Sequence, residues 1–148
     1  MNISEFMSSP AFSVGPDTTV EAAAKIMCDN KVSALPVVDS DSKVVGIITE
    51  SDFVGRDAKV PHALGTIKEL FGQIHNFNDI EAVYKSAKDK KISDVMTKAV
   101  KTVDKNSDLN DLLKMMSDTG LKRVPVTENG KLVGMVTRKD LIKAFLKS

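Results

Sequence analysis

Two stretches hold the side chains best suited to chemistry: Gly46-Ile47-Ile48-Thr49-Glu50-Ser51-Asp52 and Gly134-Met135-Val136-Thr137-Arg138-Lys139-Asp140. In each, an apolar run ends at a hydroxyl residue and an acid follows three positions later. If the run is a strand and the acid sits in the first turn of a helix, two uses are open. One is capping, in which the pair satisfies N–H groups that the first turn leaves without intrahelical partners. The other is recognition of a phosphorylated sugar. A helix N-terminus favours a phosphate, a threonine hydroxyl donates to a phosphate oxygen, and an aspartate accepts from both hydroxyls of a ribose. Gly46 and Gly134 either kink the strand or leave its surface bare so that a ring or backbone can approach.

Arginine placement adds weight to the second stretch. The chain has three arginines, Arg56, Arg123 and Arg138, among 21 basic residues. Arg138 and Lys139 lie inside the motif, and Lys122-Arg123 stands just before Val124-Pro125. The guanidinium fork matches phosphate oxygens bidentately, although ordinary surface charge is the plain alternative. The first stretch has Glu50-Ser51 and Ser33-Ala34 at the matching places, so it should hold an anion less well.

The elements that must position these residues occur twice. Ile3-Ser4-Glu5-Phe6-Met7 returns 89 residues later as Ile92-Ser93-Asp94-Val95-Met96, and that offset holds through Val37/Val126. It becomes 88 from Val45/Val133 to Asp52/Asp140, the slip falling in a polar turn where an indel disturbs no core. Each copy reads as strand, helix, strand, strand, helix. Val100-Lys101-Thr102-Val103 alternates as a half-buried strand does. Leu109, Leu112, Leu113 and Met116 mark one helical face, as do Val20, Ala23, Ala24 and Met27 after a Thr18-x-x-Glu21 capping box. Cys28 should lie on or beside that buried face. Leu35-Pro36-Val37-Val38 and Val44-Val45-Gly46-Ile47-Ile48 flank a hairpin turn, and Asn129-Gly130 marks the tight turn of the second copy. Five of the seven methionines, Met7, Met27, Met96, Met115 and Met116, supply adaptable core surface. Between the copies, 62–71 and 78–87 read as short helices, the second capped by Asn78, and Lys88-Asp89-Lys90-Lys91 as a solvated linker.

Composition narrows the function. Basic and acidic residues number 21 and 20, a net charge of +1, so nothing points to nucleic acid or an anionic membrane. The single cysteine, Cys28, rules out an internal disulfide framework and a multi-Cys zinc site, and two histidines, His62 and His75, with no His/Cys cluster argue against a dedicated transition-metal centre. No apolar run approaches the ~20 residues a spanning helix needs, and MNISEFMSSP does not read as a secretory signal. The phosphate loop, the dinucleotide fingerprint and the nucleophile elbow are all missing. We therefore expect a soluble, cytoplasmic protein that is not an enzyme.

With these residues in view, the chain resembles a pair of CBS domains, the Bateman module. The resemblance rests on the Ile92-Ser93-Asp94-Val95-Met96-Thr97 opening, the Leu35-Pro36-Val37-Val38 and Val124-Pro125-Val126 strands, and the two Gly-x-x-Thr-x-x-Asp endings. It implies an α/β fold of the α+β type: CBS motifs at 1–57 and 92–148, each β-α-β-β-α, about a pseudo-twofold axis, with a helical insert at 58–91. It implies a stand-alone, non-enzymatic sensor with nucleotide sites in the cleft between motifs, no required cofactor, and AMP, ADP, ATP or S-adenosylmethionine as ligand. By position, Asp52 and Asp140 would hold ribose hydroxyls, and Thr49 and Thr137 would meet phosphate with Lys122, Arg123, Arg138 and Lys139. Thr97, Ala99 and Val100, with Ser9, Ala11 and Phe12 in the first copy, would edge the adenine pockets, and Pro125 counts among the nucleotide-binding residues. A disc-like homodimer and an effector protein are the implied partners. The competing reading is a ligand-free dimerisation scaffold whose Thr-x-x-Asp motifs only cap helices.

Overall fold

The structure, a computed structural model, describes residues 1–54 and 80–148. After a 3-10 turn at Ile3–Glu5 come α1 (Val20–Asn30), β1 (Ala34–Val38), β2 (Val44–Thr49), α2 (Ser51–Val54), α3 (Ile80–Ala87) and α4 (Ile92–Val95). Then follow β3 (Val103–Asp104), α5 (Leu109–Thr119), β4 (Arg123–Glu128), β5 (Lys131–Thr137) and α6 (Arg138–Lys147). This is the expected mixture of small sheets and helices. The expected helix at 62–71 and the Asn78 cap lie outside the described residues, and α3 matches the described part of the 78–87 reading.

The units of packing differ from the copies 1–57 and 92–148. One compact unit gathers Met1–Phe12, Ser40–Val44 and Ala99–Ser148; the other gathers Ser13–Asp39 and Val45–Lys98. Each opening segment is apolar on one side only and buries that side in the core of the other copy. In the β4–β5 unit, Ile3 and Phe6, 0% and 2% exposed, complete a core of Val103, Leu112, Val124, Val126, Val136 and Ala144. In the β1–β2 unit, Ile92 and Val95 fill the equivalent place beside Val14, Val20, Ala23, Met27, Leu35, Val37, Ile48 and Ala87.

The backbone repeats the exchange bond for bond. Val20 N donates to Lys90 O and Ile92 N to Thr18 O, at 2.8 and 2.7 Å; their counterparts are Leu109 N to Met1 O and Ile3 N to Ser107 O, both at 3.1 Å. The run expected as a solvated linker is largely exposed, and its backbone also has a structural task. The carbonyls of Lys90 and Lys88 accept from Val20 and Glu21, the first N–H groups of α1, which the helix cannot satisfy itself.

Each sheet is small. β4 and β5 form an antiparallel hairpin, and β3 adds to β4 in parallel through Val103 and Asp104. Asn129 and Gly130 both have positive φ, 53° and 81°, the primed turn that suits a two-residue hairpin loop. The strand expected from Val100 is thus shorter, starting at Val103. Its counterpart in the other unit is the single parallel bridge between Val14 and Val37.

Three local expectations shift. The N-cap of α1 is Thr19, whose hydroxyl accepts from Ala22 N at 3.1 Å, so Thr18 lies one residue before the cap. Cys28 is exposed, because the buried stripe of α1 runs through Val20, Ala23 and Met27. Leu113 is also exposed; the inner face of α5 is centred on Leu112 with Leu109, Met115 and Met116 beside it. A helix of 3.6 residues per turn carries only a limited stripe into one small core.

Candidate functional site

The second motif forms the corner where β5 enters α6. The hairpin register sets Arg123 opposite Thr137, Val124 opposite Val136 and Pro125 opposite Met135. The arginine that opens β4 therefore lies on the neighbouring strand to the hydroxyl that ends β5. Thr137 is the extended N-cap of α6, and Arg138, Lys139 and Asp140 are its first three residues. Arg138, Lys139 and Lys122 are exposed, Arg123 half-buried and Pro125 buried.

Asp140 is 1% exposed, and its charge is met by four donors. Oδ2 accepts from Thr137 N at 2.9 Å and from Thr137 Oγ1 at 3.3 Å. Oδ1 accepts from Ser8 Oγ at 2.9 Å and from Lys143 Nζ at 3.0 Å. A carboxylate has about four lone-pair sites, so this one is fully engaged. It caps α6 and also ties that helix to the opening segment, which is anchored along β5. Ser8 and Met135 exchange both backbone hydrogen bonds at 2.9 Å, and Ser9 Oγ donates to Val133 O at 2.9 Å.

The first motif repeats the cap with different surroundings. Asp52 is 6% exposed and accepts from Thr49 N at 2.8 Å, while Thr49 Oγ1 lies 2.8 Å from Ser51 Oγ. Ser33 O accepts from Glu50 N at 2.9 Å. Ser33 and Ala34 take the places of Lys122 and Arg123, so this corner lacks the basic pair.

The exchange of opening segments also regroups the residues expected at the adenine edges. Ser9, Ala11 and Phe12 belong to the unit of Asp140, and Thr97 to the unit of Asp52, where it exchanges two backbone hydrogen bonds with Ile47 at 3.0 Å. Ala99 and Val100 fall in the unit of Asp140. Two residues beside the second motif went unread in the sequence. Lys143 was open to view as the i+3 neighbour of Asp140 on one helix. Ser8 was not, since 132 residues separate it from the acid it meets.

The bare strand surface at both glycines is used by the protein's own chain. A Cβ on Gly46 would lie 2.2 Å from Met96 Sδ, and one on Gly134 would lie 2.7 Å from Met7 Sδ and 2.8 Å from Ser8 O. Among the described residues there is no cluster of three or more His, Cys, Asp or Glu able to hold a metal, and no helix long and apolar enough to cross a membrane.

A family model for the CBS domain matches residues 3–59 and 92–147, two copies in one chain. The chain belongs to the CBS-domain family. The CBS domain-containing protein CBSX1 of Arabidopsis thaliana is 30% identical over 139 residues, which cover 90% of this chain and 58% of that protein. The chain thus spans little more than half the length of that CBS-domain relative. The crystal structure of CBSX2 in complex with AMP has a TM-score of 0.72 at 25% identity, covering 99% of this chain and 97% of that one. The CBS pair of MJ0100, in complex with 5'-methylthioadenosine and S-adenosyl-L-methionine, has a TM-score of 0.69 at 25% identity, covering 99% and 97%. Both of these solved structures are of CBS pairs.

Proposed function

We propose that this CBS pair is a non-catalytic regulatory module that binds an adenosine nucleotide in the cytoplasm and signals through a change in conformation or assembly. The observation that carries the reading is the Arg123–Thr137 register at the start of α6. It gathers a guanidinium, a hydroxyl and the first turn of a ten-residue helix, with Lys122, Arg138 and Lys139 adding positive charge for phosphate. Asp140 is the ribose acceptor, and Ser9, Ala11 and Phe12 of the same unit edge the base. Thr49 and Asp52, with Thr97, form the weaker counterpart. Similar proteins solved with AMP or with S-adenosyl-L-methionine support an adenosine ligand.

The test is thermal unfolding with AMP, ADP, ATP and S-adenosylmethionine. A ligand at a hundred times its Kd stabilises the native state by about 2.7 kcal/mol, and Asp140→Ala should remove most of that gain. No shift with any of the four ligands would overturn the reading.

A second reading, a ligand-free scaffold, is favoured by the internal saturation of Asp140. Leu113, Ile142, Phe145 and Leu146, at 43%, 62%, 77% and 75% exposure, would then be the surface that meets a second copy or an effector. Under it the chain dimerises through α5 and α6 and melts at the same temperature with or without nucleotide. Sedimentation of the wild type and of Phe145→Glu tests the dimer separately.

A further inference from the structure

Resting on the nucleotide reading, we propose that the Ser8 hydroxyl is a rotamer latch on Asp140, which must leave Oδ1 before that carboxylate accepts a ribose. All four acceptor sites of Asp140 are in use. The bonds on Oδ2 come from Thr137, and giving up its N–H would uncap α6. Exchange therefore falls on Oδ1, which holds Ser8 Oγ and Lys143 Nζ.

These two donors differ in what they cost to release. The Lys143 side chain is 55% exposed, and an ammonium on a flexible stem returns to water readily. Ser8 is exposed as a residue, yet its backbone is held by the paired bonds to Met135 and by the Ser9–Val133 bond. The segment stays in place while one torsion, χ1 of Ser8, swings the hydroxyl from one staggered well to another. The closed state keeps the buried acid satisfied without ligand, and the open state presents Oδ1 to a diol. Affinity for a ribose is thus lowered by the strength of one hydrogen bond to a charged acceptor.

The test is calorimetric titration of wild type and Ser8→Ala with AMP and with 2',3'-dideoxy-AMP, beside melting curves without ligand. Loss of the competing hydroxyl should tighten AMP binding roughly 10- to 100-fold while lowering the ligand-free melting temperature. Binding of the dideoxy compound should not change. AMP binding that is equal or weaker in Ser8→Ala overturns the latch and leaves the nucleotide reading standing. An equal gain for the dideoxy compound also overturns it, because the gain would not pass through the ribose. Failure of the wild type to bind AMP, ADP, ATP or S-adenosylmethionine overturns the nucleotide reading, and the latch falls with it.

Discussion

The sulphur of Met96 occupies the place where a side chain on Gly46 would begin, 2.2 Å from an ideal Cβ. Gly134 and Met7 stand in the same relation at 2.7 Å, with a second neighbour, the carbonyl oxygen of Ser8, at 2.8 Å. Each glycine is thus the seat for the opening segment that completes its unit.

Alanine at these two positions should have unequal effects. At Gly46 all three close atoms belong to the Met96 side chain, which is flexible and can move. At Gly134 one obstacle is backbone, pinned by the Ser8–Met135 pair. We expect Gly46→Ala to cost about 1 kcal/mol and Gly134→Ala about 2–3 kcal/mol, within the range for overpacking. Adding Met96→Ala should relieve the first strain, whereas Met7→Ala should leave most of the second. Urea unfolding of the singles and doubles measures the coupling.

Exchange of the opening segments sets where a core mutation is felt. Phe6→Ala removes a side chain 2% exposed in the β4–β5 core and should cost about 3–5 kcal/mol. Hydrogen exchange should show the loss in β4 and β5, more than a hundred residues away, before it shows in β1 and β2. Ile92→Ala, with a cost of about 2–5 kcal/mol, should give the reverse pattern.

Asp140 should matter to stability more than a cap does. Replacing an N-cap partner costs about 0.5–2 kcal/mol, but Asp140→Ala also strands Ser8 Oγ and frees Lys143. We expect about 2–3 kcal/mol without ligand, with Ser8→Ala non-additive to it. Melting curves of the two singles and the double decide this.

Asp108 gives a small acid-side dependence. The Met1 ammonium, 3.4 Å from Oδ1, holds its carboxyl below the ordinary 3.8 through a hydrogen bond; slight burial opposes this, and the Asn110 N–H, at 3.4 Å from Oδ2, assists. Because the folded-state value is depressed, the stabilisation is complete above about pH 4 and disappears as pH falls through that lower value. Asp108→Asn should therefore be less stable than wild type by a constant amount from pH 5 to 7, and the two should converge in stronger acid. Urea midpoints across pH check the convergence.

Much of this protein was legible from residue order alone. The Asn129-Gly130 hairpin and the helix starts after Thr49 and Thr137 depend on turn and cap signals that act within a few residues, while the duplication and the basic pair at Lys122 and Arg123 are plain in a comparison of the sequence with itself. Tertiary structure alone decided which opening segment completes which core, because Ile3 and Ile92 stand in equivalent sequence contexts and only packing distinguishes their destinations. It likewise decided that methionine sulphur fills the space over Gly46 and Gly134. The same packing set Ser8 against Asp140, a contact between residues 132 positions apart. Such a contact depends on where two chain segments come to rest, and local propensity carries no record of that.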